Sequence, residues 1–325
     1  MNAAEDFEKT VNWYRWFAEH EAPGRSALFE GWALGVADDA EVLERLAELP
    51  RPKRQPNLLF ACSRLVGCPL APYAEWREWL LANWPAVSTE MRVRGTQTNE
   101  PRRCAVLLPV LAQIEGPIAL LEVGASAGLC LYPDRYSYSY DGQRLDPADG
   151  PSTVLLECAT TGNPPIPTAL PEIVWRAGID LNPLDLTDHD DVNWLETLIW
   201  PEQHERLARI HAAIEIVRAD PPRIIRGDAI DDLPPLVAVA PPDATLVIVS
   251  SAAIVYLMPE PRERFIEYVR SLDATWISNE GAGIVPRAAA ELGDRVPPVP
   301  GQMLLSLNEV PQAFTGPHGD RLDWL

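Results

Sequence analysis

The chain of 325 residues can form one large domain or a core with a smaller attachment, and its 47% hydrophobic content supplies a sizeable interior. A net charge of -20, with no basic run to offset it, argues against nucleic-acid backbones and anionic membranes as partners and favours a small-molecule or protein substrate. No apolar run approaches the roughly 20 residues that span a bilayer. The acidic start MNAAEDFEKT lacks a signal core, and five scattered cysteines show no zinc-like spacing, so a cytoplasmic protein with reduced thiols and no metal is expected.

Residues 1–115 read as a helical cap or substrate region. VNWYRWFAEH carries Trp13, Trp16 and Phe17 at helical spacing. DDAEVLERLAEL opens on Asp38 or Asp39 as N-cap and stops before Pro50. YAEWREWLLANW sets Trp76, Trp79, Leu80 and Trp84 on one side, an aromatic stripe better suited to core packing than to a ligand cage. NEPRRCAVLLPVLAQI places Asn99 at a capping position and Pro101 near the first helical turn. Just before it, TQTNE gathers more polar side chains than one cap needs. Thr96, Gln97, Thr98 and Asn99 are therefore candidates for a clamp on a cofactor or substrate as well as for capping.

From residue 116 to the end the pattern becomes β–α–β. IALLEV suits a buried parallel strand, and RYSYSYDG reads as a half-buried strand. A Pro-rich insertion covers about 145–172. IVWRAGIDLNP is a second clear strand ending at Asp180, and EQHERLARIHAAIEIV is an amphipathic helix. PRIIRGDAIDDLP, ATLVIVSSAAIVYL and ATWISNEG follow as strands, with a helix over PRERFIEYVRSL. QMLLSLNEV and RLDWL flank TGPHGD as an antiparallel hairpin. The expected fold is α/β: a doubly wound, Rossmann-like, mostly parallel sheet with an antiparallel C-terminal hairpin and an N-terminal helical cap.

Ligands of such a sheet sit at the carboxyl ends of the strands. There the first strand runs into LLEVGASAGLCL, with a helix N-terminus expected to follow. Gly124, Ala125, Ser126 and Gly128 let the backbone approach a ligand closely. Glu122 places an acid where a pyrophosphate would be repelled, and the spacing is not G-x-G-x-x-G. A cofactor with a cationic amino-acid group and free hydroxyls, such as S-adenosylmethionine, fits better. Asp180 is positioned to accept ribose hydroxyls, with Asp141 in SYDG as its competitor. Asp228 and Ala229 stand where the adenine amine needs an acceptor. Ser250, Ser251 and Tyr256 line the end of the fourth strand and are candidates to clamp a substrate or cofactor. In NWLETLIWPEQHER, which also carries Trp194, the Trp-Pro-Glu-Gln run at Trp200 reads as a bend entering a helix and is also a candidate to cover the adenine face. His204 and His211 lack a third ligand and read as solvated.

The same GASAG stretch fits G-x-S-x-G, with Ser126 as nucleophile, His318 as base and Asp273 as acid. Helices precede it where a hydrolase has strands, and no oxyanion segment lies upstream. The readings carried forward are an enzyme using S-adenosylmethionine on a small molecule, a binding or regulatory module without turnover, and the serine hydrolase.

The core residues resemble class I methyltransferases. WALGVADDAEVL, RQPNLL, TQTNE, LLEVGASAGL, WRAGIDLNPLD, WPEQHER, RGDAIDDLP and GPHGDRLDWL together resemble a bacterial family, domain of unknown function 2332, common in actinobacteria. The resemblance implies a helical N-terminal part and a cofactor crevice of the methyltransferase kind. Two positions depart from the family pattern: Cys130 stands where relatives carry Asn, and Ser250-Ser251 stands where His-Ser is expected. The second departure removes a possible proton acceptor.

Overall fold

A computed structural model describes residues 3–97 and 99–325. Six helices come first: α1 (Ala3–Trp16), α2 (Ala27–Ala37), α3 (Ala40–Ala47), α4 (Pro56–Val66), α5 (Tyr73–Val93) and α6 (Arg103–Leu111). Then come β1 (Ile118–Val123), β2 (Ser137–Tyr140), β3 (Gln143–Leu145), β4 (Leu155–Thr161) and β5 (Ile173–Asp180). After α7 (His189–Thr197) and α8 (His204–Ala219) follow β6 (Arg223–Arg226), α9 (Leu233–Val237), β7 (Thr245–Ser251), α10 (Pro259–Ser271), β8 (Thr275–Glu280) and α11 (Pro286–Leu292). The chain closes with β9 (Met303–Leu307), β10 (Val310–Thr315) and β11 (Arg321–Trp324).

Two compact units result: residues 1–98 with 188–208, and residues 99–187 with 209–325. The helical segment expected over 1–115 is thus divided, because α6 packs with the sheet. In the first unit, Ser26 caps α2 through Phe29 N–H, and Asp39 caps α3 through Glu41 and Val42 N–H. Its centre is aromatic. Trp32 stacks on Trp76 at 4.6 Å, Phe29 meets Phe60 at 4.9 Å, and Trp200 packs on Phe17 at 5.4 Å. Trp76, Leu80 and Trp84 of the stripe are core, and Trp79 is half-buried. Trp16 is half exposed and stacks on His20.

The second unit holds an 11-stranded sheet in the order β3-β2-β4-β11-β10-β9-β8-β7-β1-β5-β6. β6, β5, β1, β7 and β8 are all parallel, with β1 in the middle, so sequential crossovers wind outward on both sides. β9, β10 and β11 continue antiparallel, and β4 and β2 then add in parallel. The expected C-terminal hairpin is one part of a three-stranded meander. QMLLSLNEV is split by a tight turn in which Asn308 and Glu309 both take positive φ, 49° and 67°. The Pro-rich insertion contains a strand, β4, whose Leu156 and Cys158 point inward between exposed neighbours. β2 is more than half-buried: Ser137, Tyr138 and Tyr140 are buried and Ser139 is intermediate, and Tyr140 is covered from α6, where its hydroxyl donates to Ala105 O. Among the described residues no helix is long and apolar enough to cross a membrane.

The two faces of the central sheet differ. Leu121, Val123, Ile248 and Trp276 pack with Phe265 of α10 and Phe314 in one apolar core. The opposite face is apolar at its middle but polar at the carboxyl end, where the candidate site lies.

Candidate functional site

Glu122 is the fifth residue of β1 and pairs in register with Gly178 of β5 and Val249 of β7. Val249 pairs in turn with Ile277. Side chains alternate between faces, so Glu122, Ser251 and Asn279 share one face at the carboxyl ends of three adjacent strands. Thr315 extends the row: its Oγ1 donates to Asn279 Oδ1 at 2.7 Å, and Asn279 Nδ2 donates to Ser251 Oγ at 3.2 Å. Arg103 of α6 reaches onto this row, where Nη1 donates to Ser251 O at 3.1 Å and Nε to Pro317 O at 3.1 Å. Glu122 is 5% exposed, and its Oε2 has no hydrogen-bond partner. Burial, then the nearby Cys130 sulfur, push its carboxyl well above the usual range, Arg103 pulls it down, and Asp180 adds a smaller upward push.

The loop after β1 turns sharply. Gly124 has φ +78°, and a Cβ there would stand 2.6 Å from Ala253 Cβ. Gly128 has φ +75° and packs against Ile224 and Pro222. Between them Ser126 takes φ +50°, a left-handed conformation that a serine adopts at a cost. Its N–H donates to Asp180 Oδ2 at 2.9 Å, and its buried Oγ has no partner. Asn99 holds the same loop from α6's side: Nδ2 donates to Ala125 O at 3.2 Å, and Oδ1 accepts from Leu129 N–H at 2.7 Å. Asn99 therefore caps the loop and not the helix, which starts four residues later with Arg102 as N-cap. The expected α-helix after the loop is a single 3-10 turn, Leu129–Leu131. Asn99 already satisfies Leu129 N–H, and Pro133 stops further winding. Tyr136 and Tyr140 brace this region by donating to Leu129 O and Ala105 O, so these tyrosines serve packing.

At the end of β7, Ala252 is also left-handed, with φ +51°. Glu280, the last residue of β8, accepts from Ala253 N–H at 2.9 Å and Ile254 N–H at 3.1 Å through Oε1. Its Oε2 is buried without a partner. Burial pushes its carboxyl up to about 6 against the pull of those N–H groups and Arg103. Two strained non-glycine residues in adjacent loops and two unsatisfied buried carboxyls make this end of the sheet the candidate site.

The remaining predicted residues divide. Asp180 lies beside the loop, and its Oδ1 also accepts from Asn182 N–H at 2.8 Å. Asp141 belongs to the turn between β2 and β3, where it accepts from Thr160 N–H, seven places from β1 in the sheet. Asp228 closes its own turn by accepting from Ile230 N–H at 2.8 Å, with Ala229 half-buried beside it. Ser250 Oγ accepts from Trp276 Nε1. Tyr256 is 77% exposed. In the first unit Thr96 donates to Gln55 Oε1 and Gln97 is half-buried, while Thr98 lies outside the described residues. Trp194 is buried there under Arg94, and Trp200 donates to Asn57. His204 and His211 are exposed. Asp273 precedes β8, at the opposite end of the sheet from Ser126, and His318 sits in the turn after β10 with its carbonyl accepting from Arg102.

A cleft of about 280 Å3 opens beyond the loop, lined by Ala127, Leu184, Leu186, Val217, Pro222 and Ile224. None of the predicted site residues lines it. Sequence reasoning missed Arg103, Asn279 and Glu280. Asn279-Glu280 ends an apolar strand with polar side chains, the same signal that singled out Asp180.

A family model described as "Uncharacterized protein conserved in bacteria (DUF2332)" matches residues 66–324. The chain belongs to this family. The DUF2332 match starts at the end of α4 and takes in every residue of the polar cluster. No curated protein matches the chain.

Proposed function

We propose that the crevice at the carboxyl ends of β1, β5 and β7 binds S-adenosylmethionine, and that the protein passes the methyl group to a small molecule. The observation that carries the reading is Glu122: a buried carboxyl with an unsatisfied oxygen, at the end of the central strand of five parallel ones, beneath a glycine-bent loop. An ammonium group supplies the missing hydrogen bonds and lowers the cost of burying the acid. Five parallel strands wound outward from β1 are the arrangement in which nucleotides lie across the strand ends. Asp180 ends the strand next to β1, the place from which an acid would meet ribose hydroxyls. Methyl transfer is an in-line displacement. The acceptor's lone pair forms the new bond to carbon as the carbon–sulfur bond breaks, and S-adenosylhomocysteine leaves. Holding the reactants in line supplies much of the acceleration, on the order of 7–11 kcal/mol in well-aligned cases.

Calorimetric titration with S-adenosylmethionine and S-adenosylhomocysteine tests the reading. Micromolar binding that Glu122→Gln abolishes supports it, and no binding by folded protein removes it. A binding module without turnover is the second reading. It is favoured by Ser250 and Ser251, whose hydroxyls each accept a hydrogen bond within the fold, from Trp276 and Asn279. Binding without consumption across an acceptor panel would support it. The hydrolase reading has less behind it, because Ser126 Oγ hydrogen-bonds no base among the described residues. Covalent labelling of Ser126 by a fluorophosphonate would revive it.

A further inference from the structure

The cleft of about 280 Å3 lies wholly within the second unit, between the segment after β5, the C-terminal end of α8 and the start of β6. Glu122, Asp180 and Asp228 do not line it, so it stands apart from the proposed cofactor position. Leu184, Leu186, Val217 and Ile224 give it apolar walls, and Ala127 adds the loop after β1. Ligand clefts usually run from about 300 to 1,000 Å3 and are mostly apolar with a few polar groups. This one therefore suits a small molecule.

Its polar groups are few, and most are spent. Pro183, Pro221 and Pro222 line it and carry no N–H. Leu184 N–H donates to Ser126 O at 3.2 Å, and Val217 O accepts from Asp220 N–H at 3.3 Å. Asp185 Oδ1 accepts from Thr187 N–H at 2.8 Å and from Thr187 Oγ1 at 2.7 Å. The Thr187 hydroxyl, then its N–H, hold that carboxyl below the usual range. Arg218 differs. Its Nε donates to Leu186 O at 2.8 Å, and its Nη1 donates to Glu215 Oε1 at 2.8 Å. A guanidinium has five donors, so Arg218 keeps three, including both on Nη2, uncommitted among the described residues.

Charge narrows the occupant further. Glu215 already faces Arg218, Asp185 adds a second carboxylate, and the chain as a whole carries -20. No surplus positive charge awaits an anion. Apolar walls with their carboxylate committed to Thr187 offer little to a cation.

We infer that this cleft binds a small, uncharged, largely apolar molecule carrying one acceptor oxygen, a ketone, ester or amide carbonyl, that accepts a hydrogen bond from Arg218. Such a ligand packs against Ala127 and Leu184, and so against the loop after β1 that Leu184 N–H holds through Ser126 O. The site is independent of the S-adenosylmethionine reading and stands or falls without it.

The test is a nuclear magnetic resonance titration of the full chain, labelled at its Ile, Leu and Val methyl groups. The probes are acetophenone, ethylbenzene, which has a methylene in place of the carbonyl, and benzoate, which is charged. Both neutral probes are expected to shift the methyl signals of Leu184, Leu186, Val217 and Ile224, and benzoate should bind at least about tenfold more weakly than acetophenone. Arg218→Met should weaken acetophenone about fivefold relative to ethylbenzene, because only the first loses a hydrogen bond. No shift of those methyls with either neutral probe, in folded protein, would overturn the site. Benzoate binding as tightly as acetophenone would overturn the uncharged class. An unchanged ratio of the two neutral probes in Arg218→Met would overturn the role of Arg218. Should that variant fail to fold, the comparison of acetophenone with benzoate on the unmodified protein still decides.

Discussion

Asp180 accepts a hydrogen bond from the backbone N–H of Ser126 at 2.9 Å, tying the end of β5 to the loop that leaves β1. With Asn99 holding Ala125 and Leu129 from the other side, the loop is fixed at three points before any ligand arrives. Such preorganisation reduces the ordering cost of binding. It also separates two roles that the sequence merges: Asp180 and Asn99 shape the loop, and Glu122 beneath it keeps an oxygen free.

Asn99→Ala tests the anchoring. It orphans the buried Leu129 N–H and the Ala125 carbonyl together, an expected cost of about 2–3 kcal/mol. Asn99→Asp keeps an acceptor for Leu129 but loses the donor to Ala125, so it should fall between. Urea denaturation midpoints of the three proteins check the order. An Asn99→Ala protein as stable as the parent would mean the loop is held by other contacts.

Ser126 offers a test of strain. Left-handed φ costs a non-glycine residue roughly 1–2 kcal/mol, and glycine avoids that cost while losing some in chain entropy. Ser126→Gly should therefore be about 1 kcal/mol more stable than Ser126→Ala. Ser126→Ala should not be less stable than the parent, because the buried Oγ it removes has no partner. Thermal unfolding of the two variants decides. Equal melting would mean the loop backbone relaxes.

How much of this was legible depended on the kind of signal. β1, β5, β7 and β8 announce themselves as apolar runs because parallel strands are buried on both faces. β4 did not, since its few inward residues lie in a Pro-rich stretch and one of its partners, β11, is remote in sequence. The division of β9 from β10 rests on Asn308-Glu309, where only the asparagine is a habitual turn residue. For the site, acids at strand ends pointed to Glu122 and Asp180. Arg103 was hidden because a helical arginine reads as solvated until the topology sets its helix over the sheet. Asp141 and Asp180 looked equivalent until strand order set one beside β1 and the other near the far edge.

Gly124 couples the two strained loops. A Cβ at this position would stand 2.6 Å from that of Ala253 and would carry the penalty of φ +78°. Gly124→Ala should cost about 2–4 kcal/mol, combining strain and overpacking. Ala253→Gly in the same chain should return the overpacking part and not the strain. A double-mutant cycle by chemical denaturation measures that coupling. Additive effects would mean the loops do not touch in solution.

Glu280 makes stability depend on pH in an unusual direction for a carboxylate. Its folded value of about 6 lies above the ordinary 4.5, so the folded protein holds this proton more tightly than the unfolded chain does. Below about pH 4.5 both states are protonated and the group contributes its full stability. As pH rises through 6 the unfolded chain has already ionised, and the folded state must bury a charge or keep a proton that solvent would take. That contribution, about 2 kcal/mol from the difference between 4.5 and 6, is lost by about pH 7. Glu280→Gln keeps an Oε1 to accept from Ala253 and Ile254 but cannot ionise. It should match the parent near about pH 4.5 and exceed its stability by about 2 kcal/mol near about pH 7.5. Denaturation at both values gives the difference directly. A constant offset between the two proteins across that range would show that Glu280 ionises as an ordinary glutamate and that the turn at Ala253 screens it.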